Sequence, residues 1–452
     1  MANTVQIEKI VDEQQMTAFQ IWMLAFSFLV LIVDSYDAYS IAYVAPSIIA
    51  EWKVPRVAFT SVFTANVAGL AFGAILFGML ATRIGSRRVL FTSMLLFGFL
   101  TLAKTVVSSV LWLAIFQFLA ALPVGGIYPI ALSIVAEHTP LRRRAAMLVI
   151  VALGFAFGAS LAGFIAAPVI QHLGWRWMFY IGAAFPVILT TVAAPFVPES
   201  LRRLVQEGAS RARVLIAVRR IAPSFTLPAD AKFVTASPDQ HAPFRQLFAG
   251  GRARMTILLW TGFITAYLVY YFLFSWIPVL LNAAGMSINQ SLMGGAVYPA
   301  GGFIAGLLFA YLSMKRSVPV ITCMYFVVSA LSLVSLAYAN ATIVAPILFV
   351  VGAGSIGGIL AGNALVSLAY PAELRTTGLG WAFGLGRFGS MLGPLVGGVM
   401  LELRLPLGAM CMVLAVPALL SAIAFYLVGK VNGLPGVQQD PALAYRTVDA
   451  RD

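Results

Sequence analysis

Apolar runs of about 20 residues recur along most of this chain, and few folds accept that pattern. At 1.5 Å per residue such a run makes one helix long enough to cross the hydrocarbon of a bilayer. Inside a membrane the backbone has to satisfy its own hydrogen bonds, which is why these runs become helices. Dividing the chain at Arg/Lys, Pro/Gly and polar stretches gives about twelve spans, near 18–45, 57–81, 88–107, 110–136, 145–169, 176–196, 255–281, 289–313, 318–338, 342–369, 376–400 and 407–429. Composition agrees: the chain is 61% hydrophobic and 10% charged, where soluble domains run at roughly 45–50% and 25%. An all-α polytopic membrane protein is implied, and a soluble enzyme is excluded.

The net charge of +13 does not indicate nucleic acid, because the cations sit in short loops between spans rather than on one patch. Arg83, Arg87 and Arg88 follow span two, Arg142–Arg144 span four, and Lys315 and Arg316 span eight. All lie on the side of a long basic segment after span six. The opposite side holds Lys53, Arg56, Arg176 and Arg404. By the positive-inside bias both termini are cytoplasmic. The organisation expected is a cytoplasmic tail (1–17), a six-helix bundle (18–197), a cytoplasmic central loop (198–254), a second six-helix bundle (255–429) and a cytoplasmic tail (430–452). No small-residue cleavage site follows the first apolar run, which is read as a retained span.

Asp34 and Asp37 interrupt that first run near mid-membrane. Three residues apart, they share a helix face, and neither can meet lipid without a cost of several kcal/mol. They are expected to face an interior cavity as proton-coupling groups; the alternative is a structural ion pair or an interhelical hydrogen bond. Cys323 and Cys411 lie inside apolar runs, and His138, His172 and His241 are scattered at loop edges, so neither a disulfide framework nor a metal site is indicated. No Walker-type loop is present, so no ATP or other cofactor is expected.

The halves echo each other. GMLATRIGSRR (78–88) after span two matches GLLFAYLSMKR (306–316) after span eight, and EHTPLR (137–142) after span four matches YPAELR (370–375) after span ten. Two parallel repeats rocking about a midplane cavity give alternating access. With DSYD at 34–37, the loop 78–88, GWRWMFY at 174–180, VPESLR at 197–202, SWIP at 275–278 and YPAELRTTGLGWAFGLGRFGSMLGPLVGG at 370–398, the chain resembles the major facilitator superfamily. Within it the chain is similar to the aromatic acid/proton symporter family. The resemblance implies the major facilitator fold, and a gating loop carried by Gly78, Arg83, Gly85, Arg87 and Arg88.

Four positions depart from that family's pattern. Ser35 replaces a Gly of the acidic motif, which would crowd the pocket. Thr82 replaces the loop Asp. Gln117 replaces a span-four Arg, leaving no cation there to couple to the proton site. Ile130 replaces a polar residue, which bears on substrate choice.

Arg387 is the basic residue of span eleven that lies well inside the membrane, and its planar fork suits a carboxylate. Its alternative role is to neutralise Asp34 or Asp37. Two acids and one Arg leave one negative charge, an anionic substrate makes two, and the low-dielectric surroundings favour protonation of one Asp as the anion binds. Flat walls for a ring are offered by Tyr36 and Tyr39, by Tyr267, Tyr270, Tyr271 and Trp276, and by Trp381 and Phe388; packing or interface anchoring is the plainer role of any single one. Asn66, Gln117, Tyr128 and Asn363 are in-span polar groups that could read ring hydroxyls or bond neighbouring helices. Lys104, near a span end, is expected to snorkel. The glycine motif 389–398, which in drug/proton antiporters marks span five, falls here in span eleven and counts against an exporter. The expectation is a monomeric inner-membrane importer of a small aromatic carboxylate with a proton, not an enzyme; the rivals are a proton antiporter exporting an amphipathic compound, or uptake of another organic anion.

Overall fold

The computed structural model describes residues 4–12, 16–206, 209–221, 232–234 and 243–431. His241, the tail from 432 onward and parts of the central segment lie outside the described residues. In chain order come β1 (Thr4–Gln6), α1 (Ile7–Asp12), α2 (Ala18–Trp52), α3 (Phe59–Ile84), α4 (Ser86–Ala103), α5 (Val110–His138), α6 (Leu141–Leu173), α7 (Arg176–Ala193), α8 (Leu201–Gln206), α9 (Arg211–Ile221), β2 (Lys232–Val234), α10 (Ala253–Ala283), α11 (Ile288–Leu312), α12 (Val318–Ala337), α13 (Val344–Ala369), α14 (Ala372–Glu402) and α15 (Leu407–Val428). Among the described residues, twelve helices have 18 residues or more. Eleven are apolar enough to cross a membrane on composition alone; the other is α14, whose apolarity is diluted by Arg387 and its glycines.

The breaks between helices have local causes. Ser109 accepts a hydrogen bond from the Trp112 amide at the start of α5, and Ser287 with Gln290 forms a reciprocal capping box on α11. Gly85 has φ +100°, a conformation that costs an L side chain energy, and it separates α3 from α4. The repeat seen in the sequence recurs in the packing: Gly73 of α3 lies against the Leu122 carbonyl of α5, and Gly301 of α11 lies against the Phe349 carbonyl of α13. Neither site has room for a β-carbon, so each pair approaches backbone to backbone.

The chain forms two compact units. The first holds Met1–Ala38, Ala65–Gly158 and Arg176–Pro238; the second holds Tyr39–Thr64, Ala159–Trp175 and Asp239–Asp452. In the first, an apolar core joins Met23, Phe26 and Leu31 of α2 to Leu90 and Met94 of α4 and to Ile127 and Ile134 of α5. Outside the long helices, β1 pairs in parallel with β2. Ile10 and Val11 of α1 pack with Leu201 and Leu204 of α8 and with Val214, Val218 and Ile221 of α9. The segments read as a tail and a loop thus share a small apolar cluster. In the second unit, the Tyr43 hydroxyl donates to the carbonyls of Ala159 and Gly295, at 3.0 and 3.1 Å.

Candidate functional site

The acids of α2 are buried: Asp34 and Asp37 are each 2% exposed. A 35-residue helix carries them there, and its own hydrogen bonds satisfy the backbone around them. Asp37 meets Lys104, whose Nζ lies 3.2 Å from Asp37 Oδ1. Lys104 begins a 3₁₀ turn, Lys104–Val106, at the end of α4. It was expected to snorkel, and the structure corrects this: its side chain is fully buried. The ammonium also donates to Gln117 Oε1 at 3.0 Å and lies 4.7 Å from the Phe179 ring centre. Thr101 Oγ1 donates to Asp37 Oδ1 at 3.2 Å, and Gln117 Nε2 donates to Asn66 Oδ1 at 3.0 Å. The first unit therefore does hold a cation beside the proton-site candidate. It comes from α4 rather than from position 117, and Gln117 is its neutral acceptor.

Tyr36 is buried, its hydroxyl donating to the Met178 carbonyl at 3.4 Å while its ring meets Phe185 edge-on at 5.7 Å. Ser35 does not project into open space. Its hydroxyl donates to the Ile32 carbonyl at 3.1 Å, and its oxygen fills the room left by Gly158 of α6. Tyr128 is half-buried, with its ring at 5.9 Å from Phe155.

In the second unit the tyrosines do gather. Tyr39 and Tyr270 share a hydroxyl–hydroxyl hydrogen bond of 3.0 Å. The ring of Tyr39 meets Phe274 at 4.2 Å, and Tyr271 meets Tyr270 at 4.9 Å and Tyr267 at 6.1 Å. Arg387 is half-buried beside them, its Nη1 donating to the Tyr271 hydroxyl at 3.4 Å. Within this unit no described carboxylate lies within 4.0 Å of its guanidinium. Other named residues stand elsewhere. Trp276 is fully buried, donating to the Pro394 carbonyl at 3.1 Å and packing on Phe63. Trp381 packs in tilted contact with Phe244, at 4.3 Å, and Trp260. Phe388 is exposed, and Asn363 Oδ1 is buried without a hydrogen-bond partner.

At the loop 78–88, Arg203 donates to the Arg83 carbonyl at 3.2 Å and Arg87 to the Ala194 carbonyl at 2.8 Å. Thr82 turns back to the Met79 carbonyl, at 2.8 Å. Arg88 is exposed. Gly78, Thr82, Gly85, Ile130, Glu137 and Arg203 help to line a cavity of about 390 Å³ in the first unit. The roles of Lys104 and Phe274 escaped the sequence reading. The signal for Lys104 was available: a lysine in an apolar run is a functional candidate by default.

The Major Facilitator Superfamily profile matches residues 27–394. A gallate transporter of Pseudomonas putida is 30% identical over 446 residues, 97% of each chain. A benzoate transport protein of Acinetobacter baylyi is 28% identical, over 95% of this chain and 93% of its own. Among solved structures, that of a D-xylose-proton symporter superposes with a TM-score of 0.68 at 15% identity, covering 92% of this chain and 99% of the other.

Proposed function

The chain belongs to the Major Facilitator Superfamily, and on that premise we propose that it imports a small aromatic carboxylate, of benzoate or hydroxybenzoate type, together with a proton by alternating access. The observation that carries the reading is Arg387, a guanidinium held by a tyrosine hydroxyl among the rings of Tyr267, Tyr270, Tyr271, Tyr39 and Phe274. A planar fork with no carboxylate of its own unit beside it suits a ligand carboxylate, and the rings suit a flat apolar body. The carrier acts as a monomer in the inner membrane with both termini cytoplasmic, the orientation that the basic loops favour.

The deep charges support coupling. In the first unit Asp34, Asp37 and Lys104 sum to minus one when all are ionised, two negative against one positive. A proton on one aspartate makes that sum zero. Low-dielectric surroundings favour that balance, and we propose one proton for each carboxylate carried. The step is translocation, with no covalent change.

The test is uptake of labelled benzoate, 4-hydroxybenzoate and gallate by proteoliposomes, with and without an inward proton gradient. Gradient-driven accumulation of at least one of them is expected. Exit of preloaded acid in exchange for protons, without accumulation, would replace this reading with that of an exporter.

A further inference from the structure

Lys104 stands where a coupling device would need it. Its ammonium has two oxygen acceptors of different kinds, the Asp37 carboxylate at 3.2 Å and the neutral Gln117 carbonyl at 3.0 Å, with the Phe179 ring on a third side. The groups facing it are Asp37 from α2, Gln117 from α5 and Phe179 from α7, with Thr101 of its own helix bonded to the same Asp37 oxygen. No water reaches the side chain, which is 0% exposed. A lysine is a compact charge on a flexible stem with three rotatable donors, so its head can shift between neighbouring acceptors. Gln117 passes the contact on to Asn66 of α3, whose Nδ2 is buried and has no hydrogen-bond partner.

We propose that Lys104 is the coupling cation of this carrier: Asp37 holds its ammonium while ionised, and Gln117, backed by Asn66, takes it over when a proton neutralises Asp37. The proton adds to the Asp37 carboxylate, Lys104 keeps its own, and no bond other than that O–H is formed. In the orientation that the basic loops favour, the Lys104–Val106 turn is at the extracytoplasmic end of α4, the side from which protons enter an importer. The protonation state of one acid is thereby relayed to α5 and α3 by the position of one ammonium group. The inference rests on the proton-coupled reading above and adds to it the residue that senses the proton.

Two measurements separate this inference from that reading. Infrared titration of the detergent-solubilised full chain needs no substrate. Lys104→Gln is expected to show a protonated carboxyl band at neutral pH that wild type lacks, because a buried carboxylate without its counter-charge takes a proton. Asp37→Asn in that background removes the band. Lys104→Arg, and Lys104→Gln with Gln117→Lys, which return a cation to the same place, remove it too and remain informative if the single neutral variant folds poorly. In proteoliposomes, Lys104→Gln loses gradient-driven accumulation of 4-hydroxybenzoate at least tenfold while exchange without a gradient persists, and the relocated-lysine double variant regains accumulation. An identical carboxyl band in wild type and Lys104→Gln, or wild-type accumulation by Lys104→Gln, would overturn the role of Lys104. Absence of accumulation in wild type would instead overturn the substrate or coupling reading, and the infrared result would still decide on Lys104.

Discussion

The first unit encloses the in-span pair Asp37 and Lys104, whereas the second leaves its in-span cation Arg387 half-buried. Asp37, Lys104, Gln117 and Asn66 are each 2% exposed or less and are joined by hydrogen bonds. In the second unit Arg387 is half-buried among tyrosines and bonded to a neutral hydroxyl. A sealed acid–lysine pair suits a titrating device, because in low dielectric the gain or loss of one proton changes its energy strongly. A half-open guanidinium suits an incoming anion. Buried ion pairs are weak evidence of stability, since desolvation offsets much of their attraction. The contrast teaches that a role in switching, as proposed above, suits the pair in the first unit better than a role in stability alone.

The largest effect expected is that of Asp37→Asn. It leaves a buried ammonium without its counter-charge, at a cost of about 3–5 kcal/mol, and it abolishes gradient-driven accumulation. Adding Lys104→Gln to it should recover most of the stability and none of the accumulation, as thermal unfolding in detergent and proteoliposome uptake would show. Equal stability of the single and double variants would break the contrast, because the pair would then not behave as a unit. Arg387→Gln comes next. Losing a charge-assisted hydrogen bond to the ligand, worth about 1.5–3 kcal/mol, should raise the Kd for a ring carboxylate roughly 10- to 100-fold and leave that of the corresponding amide nearly unchanged. Equal losses for acid and amide, measured by equilibrium binding, would remove Arg387 from the anchoring role. Smallest is Tyr271→Phe, which frees the guanidinium from one neutral hydrogen bond of about 0.5–1.5 kcal/mol. Its effect on affinity should stay within about tenfold while unfolding is unaltered; a loss as large as that of Arg387→Gln would mean that the hydroxyl itself holds the ligand.

The sequence revealed most where physics leaves few options. Bilayer-length apolar runs dictate helices, and the motifs at 34–37, 78–88 and 370–398 carried the resemblance that implied the major facilitator fold. The Tyr267–Tyr271 group was legible because one helix turn brings those positions together. Lys104 was misread because its position near a span end suggested water, whereas its long stem turns back toward Asp37. Trp276 and Trp381 show the other difficulty. Their partners, Phe63 and Phe244, lie far away in the chain, and only tertiary packing decides what an aromatic side chain touches. The apolar cluster shared by α1, α8 and α9 was hidden for the same reason: each segment is too short and too charged to announce a core.

The fit of Ser35 into the space beside Gly158 has a bearing on where this acidic motif could be transplanted. A serine between the two aspartates is accommodated here because the facing helix has no side chain at that point. A β-carbon at position 158 would meet the Ile32 carbonyl oxygen at 2.5 Å and the Ile32 Cα at 2.6 Å as well as Ser35 Oγ, so the backbone of α2 itself requires the glycine there. Transplanting DSYD into a carrier with a larger residue facing that position should fail unless its fifth span is changed first.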